Sequence, residues 1–355
     1  MKKIYYITAV FATLFLVGCG DGIDLPGVNV ETDLNKIPLP DNNVNLEQVE
    51  LKPSTEPMLH EGLHTEEDFQ RIRDKKAAGE EPWISAYQLL VESQFSQKTA
   101  DTYPTEWIKR GVSGDENYMN AARGATIAYQ QALRWKIEQD DEYAAKAVEN
   151  LNKWVQTCVG VTGNTNLSLA AGLYGYEFAI AGELLRDYGG WDRADFAAFQ
   201  NWLLKVFYPA NDDFLKRHHD TNALHYWANW CLCNIAAKMA IGIVTDRRDI
   251  YNEGIAHLQT GDTNGRLRRA IYHDYAPDYN FAQWQESGRD QGHTLMCVGL
   301  MGIICQLAWS QGDDFFAYDD NLFLRACEYA ACCNYTNETV PYTTSVSYTH
   351  LTLPT

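Results

Sequence analysis

The segment Gln283-Trp-Gln-Glu-Ser-Gly-Arg-Asp-Gln-Gly-His293 is crowded with hydrogen-bonding side chains, and it leads directly into the apolar stretch 295–309. An apolar stretch of this length without a polar face is typical of a helix that is buried on all sides. A polar first turn on such a helix opens into a pocket rather than into bulk solvent. The pattern therefore predicts a helix over 289–311 with a ligand site at its N-terminal end.

Within this segment the charged side chains are spaced for one helix face. Glu286, Arg289, Asp290 and His293 lie three and four residues apart, so a helix would bring them together. The N–H groups and partial positive charge of a helix N-terminus favour an anion. We therefore expect a carboxylate-bearing ligand, with Arg289 and His293 as catalytic candidates. The candidate substrate-binding residues of the segment are Gln285, Glu286 and Gln291.

Composition narrows the class of protein. The chain has 355 residues, a hydrophobic fraction of 46% and a charged fraction of 21%, which excludes a mostly disordered chain. Its net charge of −18 argues against a nucleic-acid partner, since such binding depends on Lys and Arg meeting phosphate. The 10 Trp and 21 Tyr suit both core packing and carbohydrate-binding surfaces.

The N-terminus has the features of a bacterial export signal. Lys2 and Lys3 precede the apolar stretch 4–17, and Leu16-Val-Gly-Cys19 resembles a lipobox. We expect residues 1–18 to be a signal peptide, Cys19 to be lipidated, and residues 19–57 to form a flexible tether. The protein would then be exported and anchored by lipid alone to the periplasmic or outer-surface face of the envelope. An ordinary signal peptide is the alternative.

From residue 58 to residue 344 the sequence reads as one all-α domain. Helical patterns follow one another with short Asp-, Asn- and Gly-rich gaps, and neither a convincing strand pattern nor a later membrane-spanning segment is evident. Such antiparallel hairpins suggest an α/α toroid, an incomplete barrel of helix pairs around a central cup; a superhelical repeat array is the alternative. The tail 345–355 reads as non-native or truncated. Helices are predicted at 65–78, 82–95, 116–139, 142–157, 167–187, 192–205, 221–243, 247–260, 289–311 and 320–333.

The cysteine spacing gives little support to a metal site. Besides Cys19 the chain has eight cysteines, none of them in a Cys-x-x-Cys pair. Buried free thiols are the favoured interpretation, and one or two disulfides remain open outside the cytoplasm. We expect neither a metal nor another cofactor.

A second polar group occupies Asn222-Ala-Leu-His225-Tyr226-Trp227-Ala-Asn229-Trp230. On a helix Asn222, His225, Tyr226 and Asn229 would form one stripe. Such a stripe on a helix that later becomes apolar suggests the wall of a cup. We expect it to converge with the 283–293 segment at one mouth, with Trp230 as a further sugar contact.

Several blocks resemble the alginate lyase family of toroidal polysaccharide lyases. They are His60-Glu-Gly-Leu-His-Thr-Glu-Glu-Asp-Phe, Ala170-Ala-Gly-Leu-Tyr-Gly-Tyr-Glu-Phe, His225-Tyr-Trp-Ala-Asn-Trp and the 283–293 segment, within a resemblance that spans about residues 58–344. The resemblance implies an α/α toroid and β-elimination on a uronic-acid polymer such as alginate or glucuronan.

This reaction defines roles for the polar residues. Asn229, Gln291 and Arg289 suit neutralisation of the substrate carboxylate, and His225 or His293 suits the base. Toroidal lyases usually protonate the departing O4 with a tyrosine, for which the loop residue Tyr272 is our candidate. Many of them also place Asn directly before the catalytic His, whereas Leu224 stands here. That departure leaves open a mechanism in which one Tyr moves both protons.

Other roles and other functions also remain open at this stage. Arg123 and Tyr174 are further candidates for sugar contact. Glu286 and Asp290 either orient Arg289 and His293 or act as the paired carboxylates of a glycosidase. The alternatives to a lyase are therefore a toroidal hydrolase acting on uronides and a non-catalytic glycan-binding lipoprotein.

Overall fold

The computed structural model describes residues 54–335 and 339–344, and within them it forms an α/α toroid, as predicted. Its inner helices are α3 (Tyr118–Glu138), α5 (Leu167–Leu184), α8 (Ala228–Val244) and α11 (Gln291–Ser310), and each of the four packs against the next. The segments expected to be a signal peptide and a non-native or truncated tail, and most of the expected tether, lie outside the described residues. The helices are α1 Glu66–Ala77, α2 Trp83–Glu92, α3 Tyr118–Glu138, α4 Asp141–Thr157, α5 Leu167–Leu184, α6 Arg193–Val206, α7 Tyr208–Arg217, α8 Ala228–Val244, α9 Arg248–Thr260, α10 Leu267–Ala270, α11 Gln291–Ser310 and α12 Tyr318–Tyr335.

The inner helices run in the same direction. The side chain of Asn234 in α8 donates to the carbonyl of Ser168 in the first turn of α5. At the opposite end, Arg186 beyond α5 donates to the carbonyl of Val244, the last residue of α8. Helices α5 and α8 therefore begin at the same end of the barrel, which we call the mouth.

The other end, which we call the closed end, is crossed by the segment 54–64. The backbone N–H of Leu59 donates to Gln311, just past α11, at 2.8 Å. The ring of His60 lies 3.0 Å from Asp246, just past α8. The N-terminal segment therefore ties together the ends of the inner helices opposite the mouth.

Outer helices return antiparallel to the inner ones, and small residues allow their close approach. In the α3–α4 pair, Arg134 donates to Tyr143 at 2.5 Å, while a side chain at Gly124 would collide with Trp154. In the α8–α9 pair, a side chain at Gly242 would collide with the backbone of Tyr251. These contacts establish the helix hairpins that the sequence predicts.

Two inner helices explain why the pattern is so apolar. Every residue of α8 is buried except Trp230, and α5 exposes little beyond Leu173 and Glu177. Contrary to our expectation, one later helix, α11, is long and apolar enough to cross a membrane. Just over half of its apolar stretch is buried inside the fold. In the structure it is an inner helix of the toroid.

The expectation of no strands is wrong for the described residues. Strands β1 Trp107–Arg110 and β2 Gly160–Gly163 pair in parallel, and β3 Ile271–Asp274 and β4 Ala282–Trp284 form an antiparallel pair. Strands of three or four residues are too short to show a reliable alternation in sequence. Most of these residues belong to the loops at the mouth.

Candidate active site

The two polar segments meet at the mouth, as predicted. The Gln285 side-chain oxygen accepts a hydrogen bond from the Ala228 backbone N–H at 2.9 Å. A carboxylate oxygen of Glu286 accepts from the Asn229 backbone N–H at 3.4 Å. Both bonds cap the exposed N–H groups at the start of α8. The second segment thus closes onto the first through the end of an inner helix.

The predicted helical stripes are wrong in their local geometry. Asn222 accepts from the backbone N–H of Leu224 at 2.8 Å, a turn that holds residues 221–227 outside the helix. Trp227 is extended, so α8 begins at Ala228 and carries only Asn229 of the proposed stripe. In the other segment, residues 285–288 form a 3₁₀ turn, and α11 begins at Gln291. The charged residues of this segment are therefore brought together by a turn followed by a capped helix, not by one continuous helix.

Asp290 is that cap, and it forms a tight pair with His293. One carboxylate oxygen accepts from the His293 backbone N–H at 2.8 Å, and the other lies 2.6 Å from ring atom Nδ1. Burial opposes ionisation, but these bonds hold the pKa of Asp290 below its usual range. An ionised carboxylate only accepts, so Nδ1 carries the proton, and Nε2 is the ring nitrogen that can act as a base.

Glu286 and Arg289 form a second pair behind it. Glu286 is fully buried, and burial raises its pKa to about 7 although the charge of Arg289 opposes the shift. Its carboxylate lies 3.7 Å from the Arg289 guanidinium, which also lies 3.8 Å from Asp290. The guanidinium sits 5.6 Å from the centre of the Trp227 ring. Arg289 is one-third exposed and can therefore reach a ligand.

This junction also contains buried polar atoms without hydrogen-bond partners among the described residues. They are Asn229 Oδ1, Glu286 Oε2 and Ser287 Oγ. An unsatisfied buried polar atom costs about 1–3 kcal/mol, so such atoms rarely cluster without a reason. Their clustering between α8 and α11 marks the place where a polar ligand would complete the hydrogen bonding.

Aromatic rings line the adjoining part of the mouth. Tyr226 and Trp230 pack with ring centroids 4.7 Å apart, and His225 lies against Tyr226 at 4.9 Å. Burial raises the pKa of Tyr226, so its hydroxyl keeps its proton at neutral pH. His219, from the 3₁₀ turn His218–Asp220, contacts the same tyrosine at 5.7 Å.

Tyr272 does not join this group. Its hydroxyl donates to the backbone carbonyl of Thr343, and burial raises its pKa above the usual range. Gln283 donates to the same carbonyl at 2.8 Å and accepts from the Thr343 N–H at 2.9 Å. The tyrosine is thus committed to holding the segment 341–344 against the β3–β4 hairpin, contrary to the acid role that we expected.

The remaining candidates are placed less centrally. Arg123 is exposed on α3 and makes no hydrogen bond or ion pair to the described residues. Gln291 is exposed in the first turn of α11, and Asn222 is exposed in its turn. Tyr174 is buried and stacks on Tyr118 with ring centroids 6.4 Å apart. The residues that the structure positions for chemistry are therefore Glu286, Arg289, Asp290 and His293, together with the rings of His225, Tyr226 and Trp230.

Sequence reasoning missed three residues at the mouth. Trp227, beneath Arg289, stood inside a quoted block but was not selected. His219 lies 3.0 Å from the Ser168 hydroxyl, and Arg110 ends β1. The one hint of Arg110 was its position in the gap 96–115 between the predicted helices 82–95 and 116–139, because long loops often carry function.

Metal ligands and disulfides are absent from the described part of the chain. No group of three or more His, Cys, Asp or Glu side chains there could hold a metal ion. The cysteines of this part are free thiols in the structure, and most of them are buried.

Comparison with known proteins places this architecture. The alginate lyase family profile matches residues 73–338, about three quarters of the chain. No curated protein matches the sequence.

Solved structures share the fold at low identity. Alginate lyase A1-III from Sphingomonas species A1 is 13% identical over 78% of this chain and 80% of that chain, with a TM-score of 0.54. A histidine-to-alanine variant of A1-III complexed with a tetrasaccharide is 14% identical over 79% and 82%, with a TM-score of 0.58. An alginate lyase from Bacteroides ovatus is 14% identical over 76% and 82%, with a TM-score of 0.53. The chain belongs to the alginate lyase family and is a polysaccharide lyase with an α/α toroid fold.

Proposed function

We propose that this protein cleaves a uronic-acid polymer of the alginate or glucuronan type by β-elimination. The observation that carries the proposal is the Asp290–His293 pair, whose ring nitrogen is prepared as a base beside the Arg289 guanidinium. A uronate needs both features, because its C5 proton is acidic only once the neighbouring carboxylate is neutralised. Family membership supports the reaction class, and the arginine and histidine of the site favour an acidic sugar as the substrate.

The reaction can be assigned to residues step by step. Arg289 binds the substrate carboxylate, with the unsatisfied amide oxygen of Asn229 available to a neighbouring hydroxyl. His293 Nε2 removes the C5 proton, and negative charge develops on the carboxylate, where Arg289 stabilises it. The C4–O4 bond then breaks as a C4–C5 double bond forms. Tyr226, which keeps its proton because it is buried, donates that proton to the departing O4.

A direct assay tests this proposal. The protein is incubated with alginate, glucuronan and glycosaminoglycans, and both ultraviolet absorbance and reducing ends are followed. Elimination yields a conjugated, absorbing double bond with each new reducing end. Reducing ends without absorbance would support a hydrolase that uses Glu286 and Asp290, and binding without cleavage would support a glycan-binding lipoprotein.

Glu286 predicts a pH dependence of substrate binding. Below pH 7 the buried carboxyl is neutral, and above it the carboxylate competes with the substrate for Arg289. We expect KM to rise several-fold between pH 6 and pH 8.5 in the wild type and to stay nearly constant in Glu286→Gln. A KM that rises equally in both proteins would contradict the assignment.

The stability of the same two proteins provides an independent check. Because folding raises the pKa of Glu286 from 4.5 to about 7, the folded state binds more protons, and this contribution to stability is lost as pH rises through that window. Glu286→Gln should therefore gain stability relative to the wild type by about 3 kcal/mol between pH 4.5 and pH 8. Denaturant unfolding at both pH values measures the difference.

Export and lipid anchoring by Cys19 are part of the proposal and rest on the sequence of residues 1–19. In a bacterial host we expect the full chain to incorporate labelled fatty acid and to fractionate with membranes. Cys19→Ala should abolish both properties. Labelling that persists in Cys19→Ala would exclude this anchor.

A further inference from the structure

Arg110, the last residue of β1, is buried without a counterion. Its relative exposure is 8%, and its side chain makes no hydrogen bond or ion pair within the described residues. The Nη1 atom is both buried and unsatisfied. A guanidinium in this state is unusual, because arginine stays charged and buried charges are normally paired.

The other buried arginines of the described chain show the normal arrangement. Arg134, at 7% exposure, pairs with Glu138 and donates to Tyr143. Arg325, at 5% exposure, pairs with Asp274. Acidic side chains outnumber basic ones by 47 to 29 in this chain, so a shortage of carboxylates does not explain the isolation of Arg110.

The backbone holds Arg110 in a fixed position at the mouth. It pairs with Gly163 across the β1–β2 bridge, where any side chain would lie 1.8 Å from the Arg110 carbonyl oxygen. Gly163 also has a φ of +144°, which L-residues rarely adopt. This close approach fixes the base of the arginine before any ligand binds.

The guanidinium lies beside the first residue of an inner helix. It lies 4.7 Å from the ring centre of Tyr118, the first residue of α3, and Tyr118 stacks on Tyr174 at an angle of 11°. Strand β1 precedes α3 and strand β2 precedes α5, and the two strands pair, so Arg110 lies at the end of the barrel where α5 begins, which is the mouth.

We propose that Arg110 binds the carboxylate of a second uronate residue, next to the one that Arg289 holds. The inference rests on the proposed function, because it assigns another position on the same acidic chain. One face of the guanidinium covers Tyr118, which leaves the N–H edges for a planar, bidentate contact with a carboxylate. Tyr118 and Tyr174 add aromatic surface beside it.

The test compares Arg110→Met with Arg134→Met, which makes the same change at a buried arginine that is paired. Binding of four- to six-residue oligosaccharides of alginate and glucuronan is measured by calorimetry in a His293→Ala background, which prevents turnover. Arg110→Met should weaken binding by about 10–100-fold, as expected for the loss of a charged, bidentate hydrogen bond. The affinity of Arg110→Lys should lie between those of the wild type and Arg110→Met, because lysine keeps the charge but cannot make the bidentate contact. Methyl-esterified oligosaccharides should bind both Arg110 forms equally.

Melting temperature separates a binding role from a structural one. Without ligand, Arg110→Met should melt at or above the wild-type temperature, because an uncompensated buried charge is removed, whereas Arg134→Met should melt lower. The proposal would be overturned if the melting temperature of Arg110→Met fell as far as that of Arg134→Met while its affinity for oligosaccharides stayed unchanged. If the wild type produced no unsaturated ends but Arg110→Met still lost oligouronate affinity, the subsite would stand and the lyase assignment would fail.

Discussion

Replacing His293 with alanine is expected to lower kcat on the uronate polymer by about 10²–10⁴-fold, the range typical of a positioned general base. The side chain is held by Asp290 at 2.6 Å, and its backbone N–H is already satisfied by the same carboxylate. Truncation therefore removes the base while the cap and the start of α11 persist. Initial rates of absorbance increase, with circular dichroism to confirm folding, measure the effect.

Matched variants separate this role from a general perturbation. His60→Ala removes a histidine of the closed end and should leave kcat unchanged. Asp290→Asn should reduce kcat less than His293→Ala and shift the pH profile, since an amide no longer holds the proton on Nδ1. A loss under tenfold in His293→Ala would reject it as the base. His225→Ala would then be the decisive variant, because His225 lies against Tyr226 in the same mouth.

The fold could be predicted from sequence because its signals are local and strong. The inner helices α5, α8 and α11 are apolar over most of their length, and α1 begins within one residue of its predicted start because Thr65 and Asp68 form a capping box. Helix α7 was missed because it follows α6 almost without a break, where Pro209 in its first turn restarts the helix.

The sequence was sufficient to locate the site, but it did not predict the local backbone geometry or the side-chain partners. Periodicity alone extended α8 back to residue 221, whereas the side chain of Asn222 diverts the backbone into a turn. Tyr272 was selected because it stands in a loop, yet its hydroxyl is taken by a carbonyl 71 residues away. Beyond its place in a long gap between predicted helices, Arg110 could not be selected from the sequence, because the lack of a counterion is visible only in the folded structure.

Removing the buried amine of Lys238 is expected to cost the most stability of any change considered. Lys238 is completely buried in α8, with Nζ 2.8 Å from Asp212 of α7 and 2.5 Å from Glu253 of α9. Lys238→Ala leaves Glu253 without its cation and leaves Asp212 paired with Lys216 alone. Breaking such a buried network on one side costs about 3–5 kcal/mol in the free energy of unfolding, measured by denaturant titration.

Because the loss arises from stranded charge, it should depend on the partners and on pH. Asp212→Asn and Glu253→Gln added to Lys238→Met should recover most of the stability, since a neutral, filled site replaces the ion network. The pKa of Asp212 is lowered by Lys216 and Lys238 against burial, so its share of stability is present above the usual aspartate pKa and disappears as pH falls through the lowered value. Lys216→Ala, at the exposed end of the network, should cost no more than about 1 kcal/mol. If Lys238→Ala cost as little, the amine would not be what joins the outer helices to α8.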